Sequence, residues 1–154
     1  MRENEFRGKR LDNGKWVYGC LMTPTFSDSN YIFGYYIYEL RKTKYFTTSK
    51  NDLEDFYVMP LCLVNAATIG QFTGLRDGKR TEEYPDGQKI YEDDTVLAYR
   101  RTDTDKQYPS RLQITYRNGC FMVGSCTTHE FFRLYQQDFE IIGNIYENGE
   151  LLNG

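Results

Sequence analysis

The stretch IYEDDTVLAY, residues 90–99, sets Glu92, Asp93 and Asp94 side by side before a β-branched, alternating run. Three carboxylates could run acid–base chemistry or hold a divalent ion, but both tasks need side chains that converge, with partners from elsewhere in the chain. Consecutive residues on a loop point in different directions. Asp also has a local reason to sit there, because its carboxylate accepts hydrogen bonds from nearby backbone N–H groups and it tolerates left-handed conformations. The sequence therefore predicts that these acids shape a turn and perform no chemistry.

Cys120, Cys126 and His129 invite a zinc reading. A structural zinc site needs four ligands, usually with two to four residues between paired cysteines. Here five residues separate the cysteines and the chain has one His. Nothing points to a depressed thiol pKa either, so a cysteine nucleophile is no better supported. No catalytic residue, metal or cofactor is expected.

Weaker binding candidates remain. Gln71 and Asn144 are amides inside otherwise apolar strands, each beside a glycine. Buried amides of this kind usually satisfy backbone groups where strands bend, and the alternative is a pair of ligand contacts. Asp94 joins them as the last acid of the turn. Between Thr95 and Cys120, Arg100, Arg101, Lys106, Arg111 and Arg117 outweigh Asp103 and Asp105, a local charge of +3, with Tyr99, Tyr108 and Tyr116 interleaved. Cations with stacking rings suit a single-strand binder. A solvated hairpin would look the same, and the chain as a whole carries a net charge of −3. A nucleic-acid binder usually carries a basic surplus.

The elements that hold these residues read as strands. Fourteen Tyr and ten Phe in 154 residues favour half-buried pleated surfaces. FRGKRL and KWVYGCL flank an Asn-Gly turn, the signature of a hairpin, with Trp16, Tyr18 and Cys20 on one face and Val17 and Leu21 on the other. YIFGYYIYEL gives a third strand, and RKTKYFTTSKNDLEDF a ragged strand followed by a loop. TIGQFTGL, TVLAYRR, SRLQITYR, CFMVGS and FEIIGNIY follow as strands. RDGKRTEEYPDGQ is a polar excursion. Thr127 with Glu130 forms a capping box, and with Phe131, Leu134 and Tyr135 it predicts a short helix near 128–137. Four widely spaced cysteines are expected as free thiols packed inside.

TIGQFTGL, then GQKIYEDDTV after an insertion, and EIIGNIYENGELL near the end resemble the hallmark segments of the YopX family. FRGKRLDNGKWVYG resembles its openings. These are small proteins of bacteriophages and integrated bacterial elements, and the family's molecular function is not established. The usual I-Y-E-G-D run has Asp93 in place of its Gly, and RTEEYP lengthens the preceding loop, which should lie on the surface. The resemblance implies an SH3-like β-barrel over residues 61–154, with the strands of residues 1–60 added to it in one compact unit. Residues alone indicate an all-β domain with minor helix.

The expected function is a non-enzymatic interaction or assembly module that self-associates, because Tyr31, Phe33 and Tyr35 fall on one side of a strand and Tyr36 and Tyr38 on the other. Both faces then need cover, and tyrosine-rich surface is typical of interfaces. The alternative is a nucleic-acid-binding accessory protein using residues 95–117. The expected partner is a second copy, with an unidentified phage or host protein as another. The charged N-terminus and the lack of a long apolar run imply a protein of the bacterial cytoplasm without membrane contact.

Overall fold

A computed structural model describes residues 4–23, 26–27, 30–31, 34–38, 41–46, 53–58, 60–101, 107–125, 130–133 and 139–152. The chain divides into two compact units, one comprising Asn4–Ile69 and the other containing Gly70–Gly154.

The first unit opens with β1 (Phe6–Lys9) and β2 (Trp16–Met22), paired antiparallel as the Asn-Gly turn predicts. Gly14 takes φ 68°, and Asn13 Oδ1 accepts the Lys15 N–H at 2.9 Å. β3 (Phe26–Ser27) and β4 (Asn30–Tyr31) form a minimal pair. β5 (Tyr35–Tyr38) lies beside β2. β6 (Arg41–Phe46) and β7 (Leu53–Val58) make a hairpin, so part of the segment read as loop is a strand. β8 (Leu61–Val64) completes the order β1-β2-β5-β8, and a 3-10 turn (Ala66–Thr68) follows.

The sheet curls, because Arg10 bridges Val64 and the Leu11 N–H reaches Leu63 O at 3.0 Å. Its inner face buries Val17, Ile37, Cys62 and Val64, with Phe6, Leu21, Tyr35 and Ile69 packed against them. Each such aliphatic side chain contributes about 1.5–3 kcal/mol when fully buried.

The second unit begins with β9 (Gly70–Arg76) and β10 (Lys89–Tyr91), an antiparallel pair. β11 (Asp94–Arg101), β12 (Gln107–Arg117), β13 (Cys120–Ser125), β14 (Glu130–Arg133) and β15 (Phe139–Asn144) form a five-stranded antiparallel sheet in the order β14-β13-β12-β11-β15. Ile90, Val96, Ala98, Ile114, Val123 and Phe139 are its core, closed by Leu75, Leu112 and Ile141. Ile90 and Leu75 come from β10 and β9, so that pair packs on the sheet.

Two expectations about the elements need correction. The sheet is open: β14 and β15 end it, and no pairing among the described residues joins them. The all-β class holds, but a closed barrel does not form, because β9 and β10 cover the sheet's face instead of completing a ring. The helix near 128–137 is also overturned where it can be seen. Residues 130–133 form β14, with Gly124 opposite Phe131 and Val123 opposite Phe132. A short helix is marginal alone in water, whereas the β13 edge supplies a ready ladder of backbone partners. Residues 128–129 and 134–137 lie outside the described residues.

No described helix is long and apolar enough to cross a membrane. Of the cysteines, Cys62 is buried and Cys120 partly so, but Cys20 is exposed, contrary to the expectation of interior packing.

Candidate functional site

Asp93 stands between β10 and β11 with φ 66°, the left-handed conformation that Gly adopts freely and Asp tolerates. Its backbone ties three segments together. The Asp93 N–H donates to Ile114 O at 2.9 Å, and the Asp93 carbonyl accepts the Ile145 N–H at 3.1 Å. Next to it the Glu92 N–H donates to Gln71 O at 3.0 Å. The chain passes so close there that a Cβ on Gly70 would sit 2.7 Å from the Glu92 carbonyl oxygen.

The three acids have separate fates. Asp94, 1% exposed, turns back and accepts the Tyr91 N–H on Oδ2 at 2.8 Å. Asp93 accepts from Gln113 Nε2 on Oδ1 at 3.1 Å and from the Tyr146 hydroxyl on Oδ2 at 2.6 Å. Glu92 is half-buried. Burial pushes its carboxyl above the ordinary value, the neighbouring Asp93 charge adds to that, and the backbone N–H groups of Tyr116 and Gln71 oppose it.

Asn144 lies opposite Asp94 in the β11–β15 register. Its Oδ1 accepts the N–H groups of Tyr146 and Glu147 at 3.0 and 3.1 Å, and its Nδ2 donates to Glu147 Oε2 at 3.0 Å. Asn144 thus folds the turn that delivers the Tyr146 hydroxyl to Asp93. The arrangement is a lock between the 92–94 turn, β12 and the segment after β15. Its carboxylate oxygens receive fixed protein donors, which suits holding a backbone shape.

Of the candidates named from sequence, the structure brings Asp94 and Asn144 together as register partners, and Gln71 joins through its carbonyl. Arg100 and Arg101 pair by backbone with Tyr108 and Gln107, and their side chains lie outside the described residues. Cys126 and His129 lie outside them too. No cluster of three or more His, Cys, Asp or Glu among the described residues is placed to hold a metal ion.

Sequence reasoning missed Gln113, Tyr146 and Asp77. The first two reach the turn from positions 20 and 53 residues away, and no local pattern marks such pairs. Asp77, 2% exposed, accepts the Gln88 N–H at 2.8 Å. Its neighbour Gly78 donates to Phe139 O at 2.7 Å, so the turn covers the outer edge of β15. An Asp-Gly turn signal was visible; its burial was not.

A second candidate is the outer face of the β1-β2-β5-β8 sheet. Alternation places Tyr18, Cys20, Tyr36, Tyr38, Leu61 and Leu63 on it. Leu61 is 45% exposed and Tyr18 44%. At the β1 side Arg7 and Lys9 approach the Trp16 ring, with the guanidinium carbon 4.7 Å and the ammonium 5.4 Å from its centroid.

A family model described as YopX protein matches residues 5–153. The crystal structure of protein EF1440 from Enterococcus faecalis is 24% identical, with 99% of each chain covered and a TM-score of 0.49. No curated protein matches the sequence.

Proposed function

The chain belongs to the YopX family, and from that premise we propose that it is a non-enzymatic interaction module that self-associates, serving a bacteriophage or integrated element in the bacterial cytoplasm. The observation that carries this reading is the outer face of the first unit's sheet. Its inner face already fills a core, yet Tyr18, Leu61 and Leu63 remain exposed beside half-buried Tyr36 and Tyr38. A contiguous apolar patch of this kind marks an interaction surface. Tyrosine suits such a contact because the ring buries large area while the hydroxyl stays wet. A second copy is the occupant the patch fits, since Tyr18, Leu61 and Leu63 carry no charge to repel their duplicates.

The test is light scattering coupled to size exclusion. The wild type should run well above its chain mass of 18.2 kDa. Leu61→Lys with Leu63→Lys should run as a monomer with an unchanged melting temperature, because both side chains are exposed and set no core packing. A wild type that stays monomeric at every concentration sinks the reading. The locked geometry of Asp93 and Asp94 supports the absence of catalysis in the proposal, since their oxygens already serve internal donors.

A further inference from the structure

In an Asn-Gly pair the glycine nitrogen can attack the asparagine side chain with no Cβ in the way. Such pairs occur at 13–14, 118–119, 148–149 and 153–154, the last outside the described residues. We infer that, of the first three, Asn148 is the one that loses its amide spontaneously, and that this loss unfastens the segment after β15.

The other two pairs are held. Asn13 Oδ1 accepts the Lys15 N–H at 2.9 Å, and the Gly14 nitrogen, the one that would attack, donates to Arg10 O at 3.0 Å. Asn118 and Gly119 are both left-handed, at φ 52° and 78°, and the ladder pair Arg117–Cys120 clamps them from both sides. Asn148 differs on each count. Among the described residues no hydrogen bond holds its side chain, whose amide carbon lies 2.8 Å from where a Cβ on Gly143 would stand. Gly149 opens the 3-10 turn Gly149–Leu152, where the first N–H groups have no partner within the turn. Nothing stands within 4 Å of the place a Cβ on Gly149 would take, and exposed Glu147 and Glu150 flank the pair, so water reaches it.

The chemistry needs hydroxide and water alone. The Gly149 N–H gives its proton to hydroxide, and the nitrogen attacks Asn148 Cγ to close a succinimide ring. The Cγ–Nδ2 bond breaks, and Nδ2 takes a proton from water and leaves as ammonia. Water then opens the ring at either carbonyl. One product is aspartate; the other is isoaspartate, with an extra methylene in the main chain. Both disturb the turn. The Asn148 N–H donates to Asn144 O at 2.9 Å and its carbonyl accepts the Leu151 N–H at 2.9 Å, a pair of bonds that a lengthened main chain cannot keep. Either product also sets a new carboxylate next to Glu147, whose Oε2 accepts from Asn144 Nδ2 at 3.0 Å. That turn carries Ile145 and Tyr146 to Asp93.

Peptide mapping by mass spectrometry tests the site on the full chain aged at mildly alkaline pH. Conversion at Asn148 should run several-fold ahead of conversion at Asn13 and Asn118. Gly149→Ala should slow it many-fold with an unchanged melting temperature, since the backbone there is not left-handed and the added Cβ meets nothing. Amide hydrogen exchange at Ile145 and Tyr146 should quicken in the aged wild type and stay constant in aged Gly149→Ala. Faster conversion at Asn13 or Asn118, or none at Asn148, overturns the site. Conversion at Asn148 with exchange unchanged overturns the unfastening.

Discussion

Thr68, Thr73 and Thr95 are all buried, but only two of them are used as hydrogen-bonding groups. Thr68 accepts the Lys9 N–H at 2.9 Å and donates to Asn65 O at 2.8 Å. Thr73 donates to Ile90 O at 2.8 Å and accepts the Leu75 N–H at 3.2 Å. Thr95, 0% exposed, has no partner for its hydroxyl among the described residues. Thr95→Val keeps the branched shape and removes the orphan group, so stability should rise by about 1 kcal/mol. Asp94→Ala beside it should cost about 2 kcal/mol, the worth of a hydrogen bond to a charged group. Denaturant melts of both variants check the pair, and a destabilised Thr95→Val would contradict the assignment. Glu92 adds a pH dependence. Its folded pKa lies above the ordinary value, so the stability linked to its proton is present in full at low pH and lost as pH rises through the folded pKa. Glu92→Gln should therefore melt higher than wild type at neutral pH, and the gap should close below the ordinary carboxylate range. At this scale the turn-forming role of the acids was legible, and so was the tolerance of Asp93 for a left-handed backbone, although not that the bend requires one. Tyr146 was not legible as a partner, because only the folded chain brings it to Asp93.

Among the elements, the 130–133 segment shows where local signals lose. The capping box at Thr127 and Glu130 is a genuine helix start pattern, but it weighs little against a neighbouring strand edge and two consecutive aromatics with strand preference. The pairs joined by Asn-Gly turns read correctly, since Gly14 and Gly119 take φ 68° and 78° as tight turns require. β8 went unread because LCLV carries no turn of its own and gains its place only by pairing with β5. The Asp77 turn governs another edge. It caps the exposed side of β15, the kind of protection that keeps an edge strand from pairing with a foreign chain. Asp77→Ala should destabilise by roughly 2 kcal/mol, and hydrogen exchange should show faster amide exchange at Gln88 and along β15. Unchanged protection there would show that the turn holds without its carboxylate.

For the whole molecule, the family came from motifs at both ends and the division at Ile69 came from the structure. Composition gave the all-β class because tyrosine and phenylalanine are abundant throughout. It could not give the open sheet, since closure depends on which strands meet and not on which strands exist. The two units bury separate cores, one around Ile37 and the other around Ile114.

Asp93 occupies a bend with φ 66°, a conformation that glycine adopts freely. A glycine there would make the bend easier to adopt, yet the tail of the chain would lose its mooring to the side chain. This protein keeps a strained corner and gains a fastened segment after β15, so Ile145 and Tyr146 are tied to the body of the fold.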